Sequence, residues 1–137
     1  MEHIHALQVN LTRQDDSHAL AEARGHQVVL NIKRGSAEAG FTAAEMVMAS
    51  LGACLLTNLN AIGKKMRLKI DETRIEFDAE RRDEPPALTR ISYHLIRKSS
   101  EPPEKLAELH ALCVKWGTVM NTVINWPTSQ GELVIEP

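Results

Sequence analysis

The chain has 137 residues, the size of one ordinary domain, and 43% of them are hydrophobic and 25% charged. A chain of this length and composition can bury a core without disulfide or metal cross-links, so we expect one ordered domain over residues 1–137. A formal net charge of −2 and an aromatic content of 4% give no basic or stacking surface, which excludes nucleic acid as the expected partner.

The amino terminus and the two cysteines indicate the compartment. The first residues contain no basic segment followed by an apolar stretch, so we expect no secretory signal peptide. Cys54 and Cys113 are too few for a disulfide framework or a four-cysteine zinc site, and both are expected to be reduced. We therefore expect a cytoplasmic protein in which any sulfur chemistry is redox or nucleophilic.

The first third of the chain alternates apolar and polar residues, which predicts an antiparallel meander of three strands. The strands are expected at His5–Leu11, Ala19–Ala23 and His26–Ile32, and the turns at Arg13–Ser17 and Arg24–Gly25. A loop of small residues, Gly35–Gly40, follows the third strand.

A long apolar helix is predicted next. Thr42 followed three residues later by Glu45 is a capping-box signature, and a glycine and two lysines at Gly63–Lys65 are typical of a helix end. The run Met46–Gly63 has 18 uncharged residues, the length of a membrane span, but its serine, asparagine and glycine residues favour a buried core helix. Because apolar residues occupy nearly every face, we expect burial on all sides, with a second subunit as the natural cover.

The second half predicts a hairpin, an amphipathic helix and a closing strand. The hairpin strands are expected at Leu68–Ala79 and Leu88–Arg97, around a turn at Arg81–Pro86. The helix is expected to start at a serine cap near Ser99 and to end before Pro127. One buried face is predicted for it, made of Leu106, Leu109, Cys113, Trp116, Met120 and Val123. With a short strand at Gly131–Ile135, the order is βββ-α-ββ-α-β, an α+β fold.

The segment around Cys54 carries a recognisable pattern. It reads Phe41-Thr-Ala-Ala-Glu45-Met-Val-Met-Ala-Ser50-Leu-Gly-Ala-Cys54. This glutamate, followed by an alanine-rich buried helix and a cysteine nine residues later, resembles the signature of the OsmC/Ohr family of osmotically inducible and organic hydroperoxide resistance proteins. The length and the order of elements agree with that family, so the resemblance covers almost the whole chain and identifies it as a divergent OsmC-like member.

The resemblance implies an intertwined homodimer with two long helices at its centre. It also implies that Cys54 is the peroxidatic nucleophile, which becomes a sulfenic acid as an organic hydroperoxide is reduced to an alcohol. From composition alone, Cys54 is more typical of a small core residue than of a reactive thiol. The pocket is expected at the dimer interface, lined by Met46, Met48, Leu51 and Trp116.

The family pattern also includes an arginine that stabilises the thiolate and a glutamate that pairs with this arginine. Glu45 matches the glutamate, although nine helical residues place it about 13 Å along the axis from Cys54 and on the opposite face. Arg34 matches the arginine of the OsmC branch and Arg13 that of the Ohr branch. We favour Arg34, and a solvated strand end or turn is the plain alternative for either residue.

The second cysteine departs from the family pattern. The usual resolving cysteine corresponds to Gly117, and Cys113 lies four residues earlier, one turn away on the same helix face. Disulfide geometry tolerates little displacement, so resolution of Cys54 by Cys113 stands as one possibility and a core role for Cys113 as the other.

These observations predict a thiol-dependent, peroxiredoxin-like hydroperoxide reductase. The resemblance implies a dithiol reductant, such as a dihydrolipoyl group. The alternative is an OsmC-fold protein that binds a small apolar ligand, or a one-cysteine thiol protein without the two-cysteine cycle. The sequence shows no phosphate loop, dinucleotide fingerprint or serine elbow, and its histidines lack further ligands nearby, so we expect no cofactor and no metal.

Overall fold

The computed structural model describes residues 3–36 and 40–124. In order, the elements are strands β1 (Asn10–Arg13), β2 (His18–Ala23) and β3 (His26–Asn31), helix α1 (Ala43–Lys65), strands β4 (Thr73–Asp83) and β5 (Pro86–Arg97), and helices α2 (Pro103–Lys115) and α3 (Thr118–Ile124). The α+β class and the first seven elements agree with the prediction, whereas the expected strand Gly131–Ile135 lies outside the described residues.

The chain forms two compact units, Met1–Ala49 and Ser50–Pro137, and the boundary falls within α1. The expectation of a single domain stays a prediction. Each unit has its own antiparallel sheet: β1-β2-β3 in the first and β4-β5 in the second.

The first sheet is the predicted meander. The β2–β3 turn lies at Arg24 and Gly25, whose φ angles of 52° and 83° fit the two-residue turn that matches strand twist. β1 is shorter than predicted and lies further along the chain. It runs from Asn10 to Arg13, into the expected turn, and pairs with β2 between Ala19 and Glu22. The alternating apolar side chains predicted to be half-buried are more exposed than expected: Leu11 60%, Val28 46%, Ile32 44%.

Helix α1 begins and ends where the sequence predicts. The face packed inward consists of Leu51, Gly52, Leu55, Leu59 and Gly63. Within the single chain α1 is not buried on all sides, since Val47 and Leu56 are each 36% exposed, and cover by a second subunit stays a prediction. By length and composition alone α1 is able to cross a membrane, but one such helix is weak evidence because core helices pass the same criterion.

The core of the second unit lies where α1 and α2 meet and consists of Leu55, Leu59, Leu109 and Cys113. The β4–β5 hairpin packs close to α1, since a Cβ atom on Gly52 would lie 3.1 Å from the Phe77 ring. The hairpin is confirmed, but its predicted turn at Arg81–Pro86 was too wide, because β4 continues to Asp83 and pairs there with Pro86 of β5. β4 also starts at Thr73 rather than at Leu68. The cause is that Leu68 still donates its backbone N–H to the carbonyl of Gly63, in the turn that ends α1.

The single second helix that the sequence predicts is broken into α2 and α3 at Trp116–Gly117. Glycine has a low helix propensity, and here it also packs closely against a neighbouring helix. The break leaves Trp116 65% exposed, so its predicted place on the buried face was wrong. The serine cap was also wrong: Pro102 is the N-cap residue, and Ser99 Oγ accepts a hydrogen bond from Glu101 N (3.1 Å) instead.

Candidate functional site

Cys54 lies in the middle of α1 and is half-buried. The break between α2 and α3 contacts it directly. A Cβ atom on Gly117 would lie 2.8 Å from Cys54 Sγ and 3.1 Å from the carbonyl oxygen of Cys113. Since real Cβ atoms do not approach a sulfur this closely, the packing requires glycine at this position. Position 117 is therefore the place on the second helical segment that faces the Cys54 sulfur.

Cys113 occupies a different environment from Cys54. Its side chain is 2% exposed, within the core beside Leu109. Burial raises the pKa of the Cys113 thiol above its ordinary value, the positive charge of Arg97 opposes that rise, and Cys54 adds to it. The backbone carbonyl of Cys113 accepts a hydrogen bond from Asn58 Nδ2 at 3.2 Å, which ties the end of α2 to α1.

Tyr93 and His110 form a polar pair next to Cys113, and the sequence did not predict this pair. Tyr93 Oη and His110 Nε2 are 2.7 Å apart, in hydrogen-bond contact between β5 and α2. Burial raises the pKa of Tyr93, and the nearby Cys113 adds to this rise. Arg97, at the end of β5, has a buried Nη1 atom without a hydrogen-bond partner among the described residues.

The alternation along β5 contains the signal that could have found this group. Ile91, Tyr93, Leu95 and Arg97 are two residues apart, so they lie on one face of the strand. A charged residue such as Arg97 is rarely buried without a partner, so its position on an otherwise apolar face marks it as unusual. The sequence places His110 only among the histidines that lack further metal ligands nearby. Among residues 3–36 and 40–124, no group of three or more metal-binding side chains is found.

Glu45 is held at the start of α1 by the predicted capping box. Its carboxylate accepts a hydrogen bond from Thr42 N at 2.9 Å, and Thr42 Oγ1 accepts one from Glu45 N at 3.3 Å. The backbone hydrogen bond from Thr42 lowers the pKa of Glu45, with the side-chain bond adding to it. The capping role of Glu45 is thus observed, and a catalytic role stays a prediction.

The two candidate arginines lie in the first unit. Arg34 is exposed in the turn after β3, and among the described residues no ion pair or side-chain hydrogen bond joins it to Glu45. Arg13 pairs instead with Asp16 at 2.6 Å, on the surface. Of the predicted site residues, the structure brings together Cys54 and Cys113 around Gly117, whereas it does not join Glu45 to either arginine.

Comparisons with known proteins agree with this architecture. The family model for OsmC-like proteins matches residues 35–130. An OsmC-like protein from Mycoplasma pneumoniae has 18% sequence identity and a TM-score of 0.81, with 89% of each chain covered. No curated protein matches the chain.

Two structures named for hydroperoxide resistance share the fold at lower similarity. The organic hydroperoxide resistance protein OhrB of Bacillus subtilis has 14% identity and a TM-score of 0.61, with 87% of this chain and 90% of that chain covered. The organic hydroperoxide resistance protein OsmC of Legionella pneumophila has 12% identity and a TM-score of 0.64, with 89% and 91% covered. Since the family model spans well over half of the sequence, the chain belongs to the family of OsmC-like proteins.

Proposed function

We propose that the protein is a cytoplasmic thiol peroxidase that reduces organic hydroperoxides through Cys54. The thiolate attacks one peroxide oxygen, an S–O bond forms as the O–O bond breaks, and the alkoxide takes a proton and leaves as an alcohol. The sulfur is oxidised by two electrons to a sulfenic acid. A thiol then displaces water to form a disulfide, and a dithiol reductant restores the thiolate by exchange.

The observation that carries this proposal is the setting of Cys54. The Cys54 residue is half-buried at the middle of α1, and its sulfur lies close to Gly117. Partial exposure is what a redox-active thiol requires, whereas a thiol with a purely structural role is enclosed. The family membership and the names of two fold relatives favour a hydroperoxide as the substrate.

We also propose that an arginine stabilises the Cys54 thiolate, although no such contact is observed among the described residues. We favour Arg34, positioned by Glu45, with Arg13 as the alternative. We further propose that the protein forms a homodimer. The exposed apolar side chains of α1 support such an assembly, because an uncovered apolar face favours association.

A second candidate is a one-cysteine thiol protein, and Gly117 favours it specifically. The backbone position that faces Cys54 carries no side chain, so no thiol is held in contact with the Cys54 sulfur from there. Cys113 is enclosed and lies one turn away, so reaching Cys54 requires a local rearrangement of α2. In this version, an external thiol resolves the sulfenic acid.

Consumption of an organic hydroperoxide in the presence of a dithiol tests the proposal. The wild-type chain and the Cys113→Ser and Cys54→Ser variants are compared at equal concentration. We expect turnover by the wild type and none by Cys54→Ser. If Cys113→Ser keeps full turnover, the one-cysteine cycle is correct, and if it loses turnover, Cys113 resolves. Turnover by Cys54→Ser at the wild-type rate would refute both versions.

A further inference from the structure

A groove of about 450 Å³ runs between β5 and α2, separate from the contact between Cys54 and Gly117. This volume is typical of small-molecule sites, which range over roughly 300–1,000 Å³. One side of the lining is apolar and includes Leu95, Leu106 and Ala107. The groove therefore has room for an apolar body the size of a short acyl chain.

Arg97 supplies the charge of this groove. It lines the cavity, and among the described residues it makes no ion pair. Its Nη1 atom is buried without a hydrogen-bond partner in that part of the chain. Because a guanidinium stays protonated, a buried and unpaired N–H of this kind is satisfied best by an anionic acceptor.

The other polar groups of the lining do not compete for that acceptor site. The Tyr93 hydroxyl and His110 Nε2 are already joined to each other, and none of the described residues that line the groove carries a carboxylate. His94, at the exposed side of β5, adds a further imidazole and no negative charge. The groove thus combines one guanidinium with the apolar side chains of Leu95, Leu106 and Ala107.

We propose that this groove binds a small amphipathic anion, with its acidic head group on Arg97 and its apolar body along Leu95, Leu106 and Ala107. A carboxylate and a phosphate monoester share this chemistry, since both accept two parallel hydrogen bonds from a guanidinium. The proposal does not depend on the redox activity of Cys54.

Titration of the isotope-labelled full-length protein, followed by amide chemical shifts, tests it. The probes are octanoate, octyl phosphate, octanol, octylammonium and acetate. We expect saturable shifts in residues 93–97 and 104–110 with octanoate or octyl phosphate. Octanol, octylammonium and acetate should bind at least about tenfold more weakly, because each lacks either the negative charge or the apolar body. Whichever of octanoate and octyl phosphate binds with the higher affinity identifies the preferred head group.

Two variants locate the binding. Arg97→Gln should weaken binding about tenfold or more, whereas Arg74→Gln, which removes an exposed arginine paired with Glu76, should leave the affinity unchanged. Ala107→Trp should block the groove without altering Arg97. This variant tests the binding site even if Arg97→Gln unfolds. Equal binding of octanol and octanoate, unchanged affinity in both Arg97→Gln and Ala107→Trp, or shifts confined to Cys54 and Gly117 would overturn the proposal.

Discussion

The two thiols are close enough to influence each other electrostatically, yet their exposure differs sharply. Cys54 is half-buried, whereas Cys113 is 2% exposed and its pKa is raised by burial. We therefore expect iodoacetamide to alkylate Cys54 in the native protein at neutral pH about tenfold faster than Cys113, because the reagent reacts with exposed thiolate. Peptide mass spectrometry of a time course measures both rates. Faster labelling of Cys113 would show that the core around it opens.

Gly117 offers a direct test of the contact with Cys54. In a disulfide, the Cβ atom of one cysteine lies about 3 Å from the sulfur of the other, and a Cβ atom on residue 117 would lie 2.8 Å from Cys54 Sγ. We expect Gly117→Cys to form a disulfide with Cys54 on mild oxidation, detected as a loss of two mass units that dithiothreitol reverses.

Gly117→Ala is the matched control for the cysteine variant. It brings in the same Cβ atom without a thiol, so we expect destabilisation of about 1–3 kcal/mol from overpacking and no disulfide. Chemical denaturation measures the change. An alanine variant as stable as the wild type, together with a cysteine variant that stays reduced, would show that residue 117 does not contact Cys54.

Among single residues, the position that faces Cys54 was predicted from the sequence, but the place of Arg97 in the groove was not. The motif spacing aligned Gly117 with a resolving cysteine, and the structure places Gly117 against the Cys54 sulfur. Arg97 was counted as the end of a strand. The reason is that strand alternation places a residue on a face but does not say which helix covers that face.

The elements that start with a local signal were predicted best. The capping box at Thr42 and Glu45 depends on residues three apart in sequence, and it fixed the start of α1. The break between α2 and α3 could not be predicted in this way, because it depends on the approach of Gly117 to Cys54, 63 residues earlier. The apolar spacing of three and four continued through the break, and it predicted one continuous helix.

Loss of the cap should destabilise the protein without touching the thiols. We expect Thr42→Ala to lower the free energy of unfolding by about 1 kcal/mol, since it removes the acceptor for Glu45 N. Glu45→Gln should preserve the box, because glutamine serves equally at this position. Urea denaturation compares the two. If Glu45→Gln is stable but loses peroxidase turnover, its negative charge has the proposed role in positioning an arginine.

The capping box also predicts that the stability of the folded protein depends on pH. Because hydrogen bonds from Thr42 lower the pKa of Glu45 in the folded chain, the stabilisation is present above the unfolded pKa of about 4.3. It is lost as the pH falls through the folded value. We expect Glu45→Gln to remove this part of the acid destabilisation, measured as a smaller difference in unfolding midpoint between pH 6 and pH 3. An unchanged difference would show that the carboxylate gains nothing from the cap.

For the whole molecule, the α+β class and the order of the first seven elements followed from the sequence, but the extent of burial within one chain did not. The composition of α1 predicted burial on every side, and the single chain buries one face. A face that is apolar in sequence yet uncovered within one chain indicates a partner, and the homodimer supplies that partner in our proposal.

Sedimentation of the wild type and of Ala61→Arg tests the homodimer. Ala61 lies on the exposed face of α1, so a single chain should tolerate arginine there, whereas an interface on that face should not. We expect the wild type to sediment at twice the chain mass and Ala61→Arg to shift toward the monomer. Ala111→Arg, the same substitution on the exposed side of α2, is the control and should stay dimeric. A monomeric wild type would contradict the proposed assembly.

The most direct test of the central claim is the intact mass of the reduced protein after one equivalent of an organic hydroperoxide. Wild type, Cys113→Ser and Cys54→Ser are treated in parallel. We expect that the wild type either gains one oxygen or loses two hydrogens, that Cys113→Ser gains one oxygen, and that Cys54→Ser is unchanged. An unmodified wild type, or equal oxidation of Cys54→Ser, would contradict Cys54 as the peroxide-reactive thiol.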